Sequence, residues 1–231
     1  MRVLFVRHGE PDYAADSLTE TGFKQAELVS ERLLRENISV IYASSMRRAQ
    51  QTAKPLADKL GLSINVLDYM HEIAWGDKTG AELPMRGHPW FLAEKLMAEG
   101  YVPDDDGWRE HPYYKNNIST DWMDNISEKI DLLLAEYGYT REGRLYRVSP
   151  EIEKEKTIAI FSHGGSGASA LSHILNIPYV YIMAAMPYQF TSVTSVVFPE
   201  PAGELVFPRL NLFNDVHHLA LDAEKKPTFD R

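Results

Sequence analysis

The chain opens on an apolar run of four residues, too short for a helix and followed by a polar turn. Val3-Leu4-Phe5-Val6 contains no polar residue, which predicts a strand buried on both faces, as a parallel sheet requires. A polar loop, 7–16, leads to a predicted helix over 21–36, with Phe23, Ala26, Val29, Leu33 and Leu34 on one face and Thr19 or Thr21 as its cap. Residues 38–42 predict a second strand and 47–60 a second helix, with Ala49, Thr52, Ala53, Leu56 and Leu60 inward and Gly61 as its stop. Pro55 lies inside that helical pattern and predicts a kink or a late start. A third strand follows at 63–67. This alternation predicts an α/β fold with a mainly parallel central sheet flanked by helices.

The pattern breaks between 81 and 150, where Pro, Gly, Asp and aromatic residues accumulate. Helical patches are expected at 90–99 and 120–137, the second with Trp122, Ile126, Ile130, Leu133 and Tyr137 at helical spacing. The stretch reads as a helical and loop insertion over one end of the sheet, inside a single domain spanning 1–231. The alternation resumes with a strand at 157–161, a glycine-rich turn and a helix at 166–175. Residues 191–198 and 204–210 predict a closing pair of strands, and the tail from Asp222 to Arg231 is polar and expected to fray.

Composition narrows the function classes. The 231 residues include no cysteine, which excludes disulfide frameworks, thiolate metal sites and thiol nucleophiles. A net charge of −9 argues against a broad nucleic-acid surface. No run approaches the roughly 18 apolar residues of a membrane span, and the short N-terminal run lacks a cleavage site, so a cytoplasmic location is expected.

The chemistry-bearing residues lie at strand ends. His8 follows the first strand and His163 the strand at 157–161, each with glycine behind it. Ligands of open α/β sheets bind beyond the carboxyl ends of the strands, so the two histidines can meet in space. Arg7 precedes His8, and Arg48 opens the second helix. Two arginines and two histidines at one strand-end pocket suit a phosphate dianion, because guanidinium forks match its oxygens.

These residues stand in a wider pattern. Arg7-His8-Gly9-Glu10 after an N-terminal strand resembles the signature of the histidine phosphatase superfamily, phosphoglycerate-mutase-like branch. Residues 18–26 are similar to that family's first-helix entry. Residues 44–53 are similar to its second arginine motif, with Ser45 where proline is usual. Ser162-His163-Gly164-Gly165 resembles the second histidine motif, 191–194 the late strand, and 214–219 a frequent ending. The resemblance implies a phosphoglycerate-mutase-like fold, His8 as the phosphoryl-accepting nucleophile, and Arg7, Arg48, His163 and Gly164 around the phosphate. Glu72, in Met70-His71-Glu72-Ile73-Ala74-Trp75-Gly76, matches the family's proton donor. Asp77-Lys78-Thr79-Gly80 departs from the usual continuation, which leaves Asp77 and His71 as fallback donors.

The reaction so implied is hydrolysis of a phosphate monoester through phosphohistidine, with no metal and no cofactor, on a small phosphorylated metabolite or another phosphate ester. The alternatives are mutase-type phosphoryl transfer and a phospho-ligand-binding module without catalysis. The segment Pro11-Asp12-Tyr13-Ala14-Ala15-Asp16 lacks the serine, tryptophan and asparagine of the mutases, which favours the phosphatase. Other readings fit less well. The glycine-rich turn after His163 lacks the acidic residue that a dinucleotide site wants, and Ser166 has Ala168 where a nucleophile elbow needs glycine. His217-His218, if on a strand, point to opposite faces and make a poor metal pair. Tyr101, Trp108, Tyr113, Tyr114 and Trp122 are expected to pack the insertion rather than to stack on substrate.

Overall fold

A computed structural model describes residues 1–102, 106–186 and 188–221. Its centre is a six-stranded sheet in the order β11-β9-β1-β8-β4-β5. The strands are β1 (Arg2–Arg7), β4 (Val40–Ser44), β5 (Ile64–Leu67), β8 (Thr157–Ser162), β9 (Val193–Val197) and β11 (Arg209–Asp215). β1, β8, β4 and β5 run parallel, whereas β9 is antiparallel to both β1 and β11. A two-stranded hairpin, β2 (Pro11–Asp12) and β3 (Ser17–Leu18), lies between β1 and the first helix. A small second sheet orders β10 (Leu205–Val206), β7 (Leu145–Val148) and β6 (Tyr139–Glu142).

The sheet is covered on both sides, and the two-residue period of a strand divides its side chains between two cores. Val3 and Phe5 of β1 join Ile158 and Ile160 of β8 in one core. There they meet Ile126 and Ile130 of α4 (Ile118–Glu136) and Leu171 and Ile174 of α5 (Gly164–Leu175). The alternate residues, Leu4, Val6, Ala159 and Phe161, face the other core. That core is closed by Val29 and Leu33 of α1 (Glu20–Leu33) and by Ala53 and Leu56 of α2 (Arg47–Leu60). Two-sided burial explains why these strands are continuous apolar runs rather than alternating ones. Fully burying side chains of this size contributes about 1.5–3 kcal/mol each, so both layers hold the strand ends firmly in place.

Thr19 caps α1, its hydroxyl accepting from the Gly22 amide at 3.0 Å. α2 ends at Gly61 in the left-handed region, φ 65°. Pro55 sits within α2, which starts at Arg47 without delay. α3 (Pro89–Ala98) and α4 account for the helical patches of the 81–150 stretch, and α6 (Tyr179–Ala185) follows α5.

Several expectations need correction. Phe23 is 45% exposed, because the buried stripe of α1 runs through Gly22, Ala26, Val29 and Leu33 and leaves position 23 outside it. The 81–150 stretch holds an antiparallel hairpin, β6–β7, as well as helices and loops. The closing strands are not 191–198 with 204–210. β9 pairs with the later β11, and Leu205–Val206 turns away to pair with β7. His217 and His218 lie in a 3-10 turn, not on a strand. The tail 222–231, expected to fray, falls outside the described residues. Among the described residues no helix is long and apolar enough to cross a membrane.

Candidate active site

β1 and β8 are neighbours in register, Arg7 opposite Ser162, so the residues after them emerge side by side. The His8 amide donates to the Ser162 carbonyl at 2.9 Å, and the His8 and His163 rings lie 5.0 Å apart between centroids. The next strand, β4, ends at Ser44, whose hydroxyl meets His163 Nε2 at 2.8 Å. Arg48, in the first turn of α2, directs Nε at His8 Nε2 across 3.3 Å. The structure thus brings Arg7, His8, Arg48 and His163 together at the strand ends.

The contacts of His8 fix its proton. Nδ1 lies 2.7 Å from the Gly9 carbonyl oxygen, which can only accept, so Nδ1 is the protonated nitrogen. Nε2, the acceptor of the Arg48 contact, therefore keeps its lone pair. Burial, and then the charges of Arg7 and Arg48, lower the His8 pKa to about 3. His163 is pushed well below the usual value by burial first, then by His8 and the two arginines. Both rings are neutral near pH 7.

Arg7 donates to the Tyr188 carbonyl and its guanidinium carbon lies 4.2 Å from the centroid of the Phe190 ring. Its backbone is pinned from the segment leading into β9: the Thr191 amide reaches the carbonyls of Arg7 at 3.0 Å and His8 at 3.3 Å. Thr191 adopts φ 54°, a conformation a β-branched residue takes only when its surroundings impose it. Its hydroxyl also meets buried His218 Nε2 at 3.1 Å, so His218 supports this corner.

Glu72 arrives in the loop after the 3-10 turn Asp68–Met70. Its Oε1 accepts from the amides of Ile73 at 3.0 Å, Gly165 at 2.9 Å and Ser166 at 3.2 Å. Gly165 permits this approach, since a Cβ there would fall 2.7 Å from Oε1 and 2.5 Å from Ile73 Cγ1. Desolvation raises the Glu72 pKa, outweighing Arg7 and the amide bonds. All three amide bonds fall on Oε1, so the proton of the neutral acid belongs on Oε2.

Asp77 is bound within its own loop, whereas His71 is near enough to His163 to add to the lowering of its pKa. The Asp77 carboxylate accepts from the Thr79 amide at 2.7 Å, and its hydrogen bonds with Thr79 lower its pKa. The His71 ring lies 4.1 Å from that of Trp122, with Nδ1 on the Glu72 carbonyl at 2.7 Å.

A cleft of about 750 Å³ opens here, lined by Arg7, Glu72, Gly164, Gly165 and Phe190 together with residues from 73–94. His8 and His163 are 1% and 0% exposed and do not line it themselves. Trp108 and Tyr114 are buried in the core, as expected of packing residues, while the aromatic groups at the cleft come from elsewhere, notably Trp75, Trp90 and Phe91. Two further residues of the site were not anticipated from sequence: Asp16, whose carboxylate pairs with Arg48 at 2.5 Å, and Ser44. Asp16 sits on the β2–β3 turn, and only its acidity near an arginine motif could have marked it. Among the described residues, no group of three or more His, Cys, Asp or Glu side chains is placed to hold a metal ion.

The chain is similar to known proteins in sequence and in fold. A family model, histidine phosphatase superfamily (branch 1), matches residues 3–113. A protein of Hydrogenobacter thermophilus assigned as a phosphoserine phosphatase is 32% identical over 102 residues, covering 40% of this chain and 47% of the relative. A probable phosphoglycerate mutase of Yersinia pestis is 31% identical over 119 residues, 48% of each chain. The match thus spans about half the length of these curated relatives. The solved structure of a phosphoserine phosphatase variant from Entamoeba histolytica in complex with phosphoserine superposes with a TM-score of 0.64. It is 20% identical and covers 94% of this chain and 98% of its own. The family model covers residues 3–113, just under half of the chain, and the superposed structure shares the fold over most of the chain's length.

Proposed function

We propose that the chain is a phosphatase that hydrolyses phosphate monoesters of small molecules through a phosphohistidine at His8. The observation that carries this reading is the His8 tautomer, with Nδ1–H committed to the Gly9 carbonyl and the Nε2 lone pair unprotonated and facing Arg48 Nε at 3.3 Å. A neutral imidazole nitrogen held in that way is a nucleophile.

In the first step Nε2 forms a bond to phosphorus as the ester P–O bond breaks. The leaving oxygen takes the proton from Glu72 Oε2 and departs as an alcohol. Arg7, Arg48 and His163 stabilise the charge on the equatorial oxygens. In the second step the Glu72 carboxylate takes a proton from water, whose oxygen attacks phosphorus. The N–P bond breaks, and free phosphate and neutral His8 result. Guanidinium charge stands where a magnesium ion acts in other phosphoryl-transfer sites, so this mechanism uses neither metal nor cofactor. Similarity to a phosphoserine phosphatase supports a phosphorylated small molecule as substrate.

Similarity to a phosphoglycerate mutase supports a second reading, phosphoryl transfer between two acceptors. Phosphate release separates the two. Purified protein, given phosphate monoesters in the presence of a chelator, is expected to release inorganic phosphate in proportion to substrate consumed. Isomerised ester without phosphate release identifies the mutase. Complete inhibition by the chelator, reversed by a divalent ion, overturns the metal-free mechanism.

A further inference from the structure

Resting on that phosphatase reading, we infer that the cleft selects phosphate monoesters whose alcohol is bulky, planar and apolar and carries no acidic group. The cleft is lined chiefly by aromatic side chains. Trp75 and His88 have ring centroids 4.4 Å apart, and His88 and Phe91 5.1 Å, forming one continuous aromatic wall. Trp75 is 39% and Phe91 43% exposed, so this wall offers its faces to the cleft rather than to the core. Trp90 carries the wall inward to the phosphate end. A Cβ built on Gly164 would lie 3.3 Å from its ring and 3.7 Å from the Arg7 guanidinium carbon. An alcohol attached to a phosphate held by Arg7 therefore leaves the reaction centre alongside aromatic faces, which favour stacking with planar groups.

The charge distribution gives the other half of the selection. Among the described residues lining the cleft, Arg7 is the one arginine or lysine, and the phosphate claims it. The acids there are Glu72 and Glu94. His88 adds no charge, because burial lowers its pKa. A substrate carboxylate, such as that of phosphoserine or 3-phosphoglycerate, would give up its hydration for a wall with no cation to pair it, and would meet Glu94. Losing hydration without a partner is costly for any ion, whereas a planar apolar group gains from the same surface.

The test compares four esters that all release an alkoxide, so the chemical step is matched: 2-(1-naphthyl)ethyl phosphate, ethyl phosphate, phosphoserine and 3-phosphoglycerate. The naphthylethyl ester is expected to exceed each of the others in kcat/KM by about tenfold or more, the scale on which apolar pockets discriminate. Trp75→Ala and Phe91→Ala are expected to shrink the naphthylethyl-to-ethyl ratio several-fold. That ratio does not depend on how much of the variant is folded. Glu94→Gln is expected to raise the rate on 3-phosphoglycerate relative to ethyl phosphate. Equal or greater kcat/KM on an acidic ester, or an unchanged ratio in both aromatic variants, overturns the selectivity and leaves the phosphatase reading standing. Absence of phosphate release from all four esters and from nitrophenyl phosphate overturns both.

Discussion

Arg48 is shared between His8 and Asp16: its Nε faces His8 Nε2 at 3.3 Å while its Nη1 pairs with the Asp16 carboxylate at 2.5 Å. The acid thus holds part of the guanidinium fork that a phosphate needs. On the proposed phosphatase reading, a phosphate would compete with Asp16 for the Nη1 arm of Arg48.

Asp16→Asn is therefore expected to tighten binding of inorganic phosphate. Asp16 is 38% exposed at its side chain, so water screens the pair and the gain is modest, roughly two- to fivefold in Ki. Competitive inhibition by phosphate measures it. A weaker Ki in the variant would show instead that Asp16 acts by orienting Arg48.

His8→Ala and His163→Ala are expected to fail differently. Loss of the nucleophile removes the covalent route and should cost several orders of magnitude, with no radiolabel retained on the protein after brief exposure to a labelled ester. His163→Ala keeps the nucleophile and loses charge stabilisation, so it should retain trace turnover and still take up label slowly. Both side chains are buried, so circular dichroism must first show folded protein. Retention of more than about a tenth of the rate by His8→Ala is too much for a lost covalent step and would move the nucleophile elsewhere.

The sheet was largely legible because two-sided burial writes continuous apolar runs such as Val3–Val6 into the sequence. The strand-end histidines were legible for the same reason: once the strands are placed, His8 and His163 are adjacent. What stayed hidden depends on long-range packing. Leu205–Val206 has the composition of a sheet strand, but β7, built from the 81–150 stretch, captures it. Trp108 and Tyr114 pack the core as expected, but the cleft wall of Trp75 and Phe91 was not legible, because tertiary packing decides which loop and which helix face border the cleft. The strained Thr191 and its partner His218 could not be paired from sequence, since nothing local requires φ 54° there.

Acid should destabilise the fold through its buried histidines. His8 is lowered to about 3 and His218 to about 4, chiefly by burial, and His163 also falls well below the ordinary value of 6.5. The native state holds these rings neutral, so below about pH 6.5 the unfolded chain binds more protons, and stability falls with pH. The loss runs from about 6.5 down to the native values. Urea midpoints are expected to drop steadily from about pH 7 to about 4.5, and His218→Gln to flatten that slope by up to one proton. An identical slope in the variant would mean that His218 is already protonated in the native protein.

Glu72→Gln should hurt poor leaving groups most. With Oε1 bound by three amides, the carboxyl can deliver a proton only from Oε2, and the amide that replaces it has no acidic proton to give. An alkoxide departs only with a proton, whereas nitrophenolate departs without one. General acids contribute roughly a hundred- to ten-thousand-fold, so phosphohistidine formation should slow by that order on ethyl phosphate and far less on nitrophenyl phosphate. Single-turnover measurement isolates this step from the later attack of water, in which Glu72 would act as the base. The pH profile supplies a second check. The raised pKa keeps the acid protonated above the usual carboxylate range, so the wild-type single-turnover rate on ethyl phosphate should decline as Glu72 ionises with rising pH. Glu72→Gln should lose that alkaline limb. Equal rate losses on both esters would transfer the acid role to Asp77 or His71, and the same pair of esters tested on Asp77→Asn would then decide between them.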